Sequence, residues 1–337
     1  MAIPLIIGAG MLAAGLYGAA KGVSGAIDHS DAKDLNADAS SMVRKAQSNL
    51  EEERSTTNTV LEDYGSRKLR AFNGVIADFI ETFGRLKNVE LSDSPELDKL
   101  LLGQGSQAAV LGLQHDYQML QSAGLGLGAG FGSGAALAFG AYSGTMALAT
   151  ASTGTAISAL SGVAATNATL AWLGGGALSV GGLGMAGGTM VLGSIVAGPA
   201  IAIFGHIVGN KGEAALNNAK SNIEQARTVK AECETAGMKL EAIAEVVSFA
   251  NQTLSSVSST MRRSVKQLRL MLEQDGEDFH RFDDDAKEVV FRAVKAAQLI
   301  KAIIDTPILD EQGNLVLASK KRVEDVAQLG IEGRTAS

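Results

Sequence analysis

The chain holds a single cysteine, Cys233, so no internal disulfide can form and a disulfide-stapled secreted fold is excluded. Proline is nearly as scarce, with four residues in 337, which excludes collagen and a proline-rich disordered chain. A basic surplus is missing as well. With 29 basic against 36 acidic residues the net charge is −7, which argues against a nucleic-acid partner. The largest absence is local: from Asp116 to Lys211 there is no Asp, Glu, Lys or Arg for 94 residues. A second uncharged run covers Ala2 to Ala20.

What is present is apolar and glycine-rich. Hydrophobic residues make up 46%, too many for a wholly disordered chain. Forty residues are glycine, about 12% against a usual 7% or so. Of these, 22 lie inside the long uncharged block. All charge is confined to Lys21–Asp116, with 11 basic and 16 acidic residues, and Lys211–Arg334, with 18 and 20. The length is that of about two domains. The layout divides into an N-terminal apolar membrane segment (1–27), a long amphipathic helical arm (28–121), a glycine-zipper membrane region (122–210), a long coiled-coil helix (211–275) and a small helical C-terminal part (276–337).

A helix facing water carries charge on its outer face, so a helix apolar all round is buried in protein or in lipid. One membrane crossing takes about 20 apolar residues. The block is therefore long enough for three or four crossings, or for two long ones and a loop. A large soluble core wrapped by the charged segments is the alternative; insertion is the favoured reading. Glycine placement favours helices packed on helices. Gly124, Gly128, Gly132, Ala136, Gly140 and Gly144 recur at every fourth position, beside a parallel ladder of Gly126, Gly130, Gly134 and Ala138. Small residues four apart share a helix face and let two backbones approach closely. Gly184 and Gly188 form a further pair, as do Gly205 and Gly209. In water so many glycines would each cost a helix about 1 kcal/mol. In lipid the alternative is unpaired backbone, so helix remains favoured. The spans fall near 123–150 and 176–208, with 151–173 a turn region or a short third segment. Trp172 and Tyr142 suit the headgroup level, and packing in a core suits Trp172 equally well.

The N-terminal run has its first basic residue, Lys21, after the apolar stretch rather than before it. A secretory signal has the reverse order, so this run reads as an uncleaved inserting segment. A buried helix within the fold is its alternative.

The flanks read as long helices. In 216–272, apolar or small residues fall at Leu216, Ala219, Ile223, Ala226, Val229, Cys233, Ala236 and Leu240. They continue at Ile243, Val247, Ala250, Leu254, Val257, Met261, Val265, Leu268 and Leu272. Spacings of 3 and 4 alternate, as in the seam of a coiled coil. Cys233 lies on that seam and reads as a small core residue rather than a nucleophile. Residues 31–89 form a second long candidate whose apolar face sharpens at Phe72, Ile76, Phe79, Phe83 and Leu86. Two such helices on either side of an apolar hairpin are expected to pair antiparallel. Ser94-Pro95 opens a further helix, and Gly276 ends the coiled-coil helix. Asp285–Ile304 is amphipathic and stops at Asp305-Thr306-Pro307. A small hairpin is expected around 308–317, a last helix over 318–328 and a frayed tail beyond.

Enzymatic patterns are weak. Gly182-Leu183-Gly184-Met185-Ala186-Gly187 matches GxGxxG in form, but no acidic residue follows about 20 positions on, as a dinucleotide site requires. Gly209-Asn210-Lys211-Gly212 lacks the rest of a P-loop. His280 near Asp283, Asp284 and Asp285 reads as a solvated acidic turn rather than a metal site. No catalytic residue, cofactor or metal is expected. Two basic clusters stand out, Arg67-Lys68-Arg70 and Arg262, Arg263, Lys266 and Arg269. Each reads by default as a solvated helix face; near a bilayer, anionic headgroups would be worth about 1 kcal/mol per charge.

This layout resembles the helical pore-forming proteins of the cytolysin A and haemolysin BL type, which carry an apolar hairpin between long amphipathic helices. The stretch Ser122–Gly209 is similar to the membrane region of apolipoprotein L proteins, and glycine-zipper segments of this sort also occur in bacterial proteins. The expectation is an all-α protein with long antiparallel helices flanking a Gly/Ala-rich membrane-inserting hairpin. It would associate with a lipid membrane from a soluble or cytoplasmic pool and self-assemble as a homo-oligomer, forming a pore or perturbing the bilayer. The alternative is a membrane scaffold that recruits protein partners through its coiled coils without forming a pore.

Overall fold

The structure is a computed structural model that describes residues 28–91, 95–101, 105–122, 136, 139–141, 215–310 and 313–335. The protein is all-α. Among the described residues every regular element is a helix, and the only strand-like features are two isolated bridges, Lys87 with Asp278 and Leu309 with Leu315. Helix α1 (Asp28–Ala71) passes through a π-helical turn, Phe72–Ile76, into α2 (Ala77–Phe83). Short α3 (Pro95–Leu100) and then α4 (Ser106–Ser122) follow. Helix α5 (Ala215–Asp275) has 61 residues and is about 90 Å long at 1.5 Å per residue. Helices α6 (Asp284–Ile304) and α7 (Leu317–Thr335) complete the chain.

The 3-and-4 spacing of α5 is realised as burial. Ala226, Val229, Cys233, Leu240, Ile243, Val247, Ala250, Leu254, Val257, Met261, Val265, Leu268 and Leu272 are all buried. Helix α1 answers with Ala39, Val43, Leu50, Thr57, Leu61, Tyr64 and Lys68. Seven-residue repetition keeps one stripe of each helix facing its partner over many turns.

The direction of pairing differs from the expected one. Hydrogen bonds join Asn222 to Asn36, Thr57 to Leu240, Arg67 to Asn251 and Arg269 to Thr82. The separations are 186, 183, 184 and 187 positions. A constant difference means that α1–α2 and α5 run parallel, whereas antiparallel helices would keep the sum constant. The far ends agree: Lys87 N–H donates to Glu277 O and Phe279 N–H to Lys87 O, forming a parallel bridge. The hairpin expectation assumed that the chain re-enters α5 where it left α2. Instead α4 lies beside α2, and Ala136 and Gly140 cross α1 at Leu61 and Gly65; residues 142–214, which lead to α5, lie outside the described residues.

Two cores follow. At the N-terminal ends of α1 and α5, Ala39, Val43 and Leu50 pack on Ala226, Val229, Cys233 and Leu240 to make a two-helix arm. From Leu61 and Ile243 onward, α2, α3, α4, α6 and α7 gather round the same pair and share one apolar core, the head.

Local chemistry sets the helix ends. Gly276 adopts φ +87° directly after α5, the left-handed position that glycine occupies at low cost. The Asp283 side chain accepts from Ala286 N–H and caps α6, with Asp284 and Asp285 in the first turn. The expected hairpin shrinks to one bridge because Leu317 already begins α7. Nor does α7 fray after residue 328. Val323 and Val326 are buried, and Gly330 comes within contact of Val257, so docking on α5 carries the helix on to Thr335.

Candidate functional site: where the uncharged block meets the head

The block begins inside α4, just after Asp116, and its residues Ala136, Phe139, Gly140 and Ala141 are all buried against the head. There it crosses α1 at very short range. A Cβ built on Gly65 would lie 1.6 Å from Ala136 O and 2.6 Å from Gly140 N. One built on Gly140 would lie 1.9 Å from Leu61 O. The obstacles are backbone atoms, which no rotamer change can move, so both positions require glycine. One residue on, Ala141 O accepts from both Ile308 N–H and Leu309 N–H at 2.9 Å, tying the block to the chain just past α6.

Beside this crossing lies a buried ionic cluster. Tyr64 OH donates to Ile303 O and Lys68 Nζ to Ile304 O, both at 3.2 Å. These are last-turn carbonyls of α6, and Ile303 O also accepts from Thr306 N–H at the helix end. Lys68 Nζ also sits 4.5 Å from the centre of the Tyr64 ring. Lys301 bridges two carboxylates, Asp116 at 3.1 Å and Asp305 at 2.8 Å. Gln298 donates to Ser106 Oγ, and Arg322 donates to Leu100 O. The cluster therefore joins α1, α4, α6 and α7.

Electrostatics separate the two lysines. Lys68 is wholly buried, and burial pulls its pKa down to about 7, only partly offset by the Asp305 charge. Burial also opposes the charge on Lys301, but Asp305 and Asp116 together outweigh it and hold its pKa above the ordinary value. Burial pushes the Asp116 carboxyl up despite the Lys301 ammonium beside it. Burial pulls the Arg322 guanidinium down, with Asp305 opposing. The constellation is a polar staple that fixes where the last charged residue before the block, Asp116, is held.

At the other end, the parallel pairing brings together the two points at which uncharged sequence is attached. Asn36 and Asn222 are hydrogen-bonded near the start of the arm, so Asp28 and Ala215 begin their helices at the same end. The chain before the first includes Ala2–Ala20, and the chain before the second is the long block.

Of the residues singled out in the sequence, Gly124, Gly128, Gly132, Gly144, Gly184, Gly188 and Trp172 lie outside the described residues. Gly140 is described, and its open face is filled by α1 of the same chain. Arg262, Arg263, Lys266 and Arg269 are exposed along α5. Lys68, grouped by sequence with Arg67 and Arg70 on a solvated face, is instead fully buried. Sequence reasoning passed over Gly65, Asp116, Lys301, Asp305 and Arg322. Signals existed for two of them: Gly65 is a lone glycine inside a long helix, a mark of close approach, and Lys301 interrupts the apolar run Leu299–Ile304.

Comparison of the chain with family models, with curated proteins and with solved structures gives no match. Among the described residues no helix is long and apolar enough to cross a membrane.

Proposed function

We propose that this protein inserts into membranes and self-assembles there, perturbing the bilayer or forming a pore. The observation that carries this reading is the parallel pairing of α1 and α5. It gives two uncharged stretches, 19 residues (Ala2–Ala20) and 94 residues (117–210), their points of attachment at one end of one rigid arm. Segments without charge need protein or lipid around them, and the two-helix arm at that end offers little apolar cover of its own. The head holds the opposite end of the block through Gly65, Gly140 and Ala141.

Vesicle flotation and dye release test the reading together. The full chain is expected to float with vesicles and to release dye. Flotation without release assigns it to the scaffold reading, and a chain that stays monomeric without detergent and ignores vesicles overturns membrane function altogether.

Assembly has its own test. Gly128→Leu with Gly132→Leu adds bulk and apolarity on one face of the ladder. Vesicle binding is expected to persist while oligomers and dye release are lost, because helices in lipid associate through close packing rather than hydrophobicity. Leu137→Ile, nearly volume-neutral, is the control. Gly140 is left intact because it packs within the chain. Oligomers of native size in the double variant would remove the ladder as an interface.

A further inference from the structure

Some basic side chains are ion-paired: Arg85 and Lys87 share Glu277, Arg227 meets Glu224, and Lys320 meets Glu245. Two arginines without such a partner among the described residues share a groove. Arg67 of α1 and Arg263 of α5, 196 positions apart in sequence, line one groove of about 460 Å³ between the two helices. No carboxylate lines it, and neither arginine has an ion-pair partner among the described residues. The remaining lining is neutral and polar, including Asn251, Gln252, Ser255 and Ser259. Arg67 is held in place, because its Nε donates to Asn251 Oδ1, and its two terminal nitrogens meet no acceptor among the described residues. Arg263 makes only a long 3.5 Å contact from Nη2 to Thr260 on its own helix. Exposed Arg70, Arg262 and Lys266 lie near in sequence and likewise have no ion pair.

We propose that this groove is a binding site for a phosphate-bearing anion, gripped between the Arg67 and Arg263 guanidiniums with the serine hydroxyls and amides completing the shell. Guanidinium presents parallel N–H donors that match phosphate oxygens two at a time. The volume lies within the range of small-ligand sites, about 300–1,000 Å³, and exceeds what one ordered ion needs. Arg67 stands 39 residues along α1 from Asp28, or roughly 60 Å from the arm end. A bilayer engaged at that end does not reach the groove of an upright arm, which favours a soluble phosphate compound over a lipid headgroup.

The test is calorimetric titration of the full chain in detergent with inorganic pyrophosphate at constant ionic strength, alongside binding to vesicles containing phosphatidic acid. Pyrophosphate is expected to bind, and Arg67→Gln and Arg263→Gln should each weaken it about tenfold or more. Arg67→Lys, which keeps the charge but loses the fork, should fall between. Ser255→Asp should abolish binding, and Arg292→Gln, distant and paired with Glu288, should leave it unchanged. Each variant is checked for an unchanged melting curve. Binding to the vesicles alone, lost in the same two variants, keeps the site and makes its ligand a lipid phosphate. Absence of binding in both formats overturns the proposal, as does binding indifferent to Arg67 and Arg263.

Discussion

Replacing Gly65 by Val is expected to destabilise the head by about 3 kcal/mol or more, seen as a fall in Tm of roughly 10 °C. The new Cβ would lie 1.6 Å from Ala136 O, an oxygen of the backbone it crosses. Overpacking against a side chain can be relieved by a rotamer; here the crossing segment must move away from α1. That movement also strains the paired hydrogen bonds from Ile308 and Leu309 to Ala141 O. Gly140→Val attacks the same contact from the other side and should have a similar effect. The double variant should cost less than the sum, because the two residues share one interaction. Gly74 supplies the contrast, since a Cβ there meets nothing within 4 Å. Gly74→Ala should leave Tm unchanged or raise it slightly by restricting the unfolded chain. Thermal melts followed by circular dichroism in one detergent decide the matter. If Gly65→Val and Gly74→Ala melt alike, the close crossing does not exist.

Two buried lysines of the same cluster, Lys68 and Lys301, should respond with opposite signs when replaced by methionine. Lys68 has a folded-state pKa of about 7 against an ordinary 10.5. Between those values the unfolded chain holds a proton that the folded chain does not, so stability rises with pH across that window. At pH 7 nearly all of the burial cost is present, on the order of 4–5 kcal/mol. Lys68→Met removes it and forfeits a hydrogen bond to Ile304 O, worth about 1 kcal/mol, and the contact with the Tyr64 ring. A net gain of about 2 kcal/mol is expected at pH 7. The rise in stability from pH 7 towards pH 10 should flatten. Lys301 is the reverse case, with its charge favoured by two carboxylates. Lys301→Met leaves Asp116 and Asp305 without their shared cation and should cost about 3–5 kcal/mol. Urea denaturation at pH 7 and pH 9.5 measures both. Losses of equal size for the two variants would sink this electrostatic account.

Much of the fold was legible in the sequence. The seam of α5 follows from spacing alone, and its members from Ala226 to Leu272 are buried almost without exception. Pro95 opens α3 and Gly276 closes α5, as the chemistry of helix ends requires. The same logic failed for α1 near residue 68. Arg67-Lys68-Arg70 looks like a solvated cluster, yet the repeat running through Leu61 and Tyr64 places position 68 on the buried stripe. There the phase of the helix overrode the polarity of the side chain, and the carbonyl end of α6, distant in sequence, supplied the partner.

Local pattern alone specifies that the protein is helical, where α5 ends, which face of that helix is buried, and that charge is withheld from 94 consecutive residues. These properties depend on neighbours within a turn or two, through periodicity, capping and backbone freedom. The parallel course of the long helices emerges in three dimensions, because a heptad stripe reads the same whichever way its partner points. So does the contact of Gly140 with Leu61 and Gly65, since a ladder of small residues announces a close approach without naming the surface approached. The Arg67–Arg263 groove belongs there as well: its two arginines come to line one groove through the register between helices nearly 200 residues apart, which no local pattern encodes.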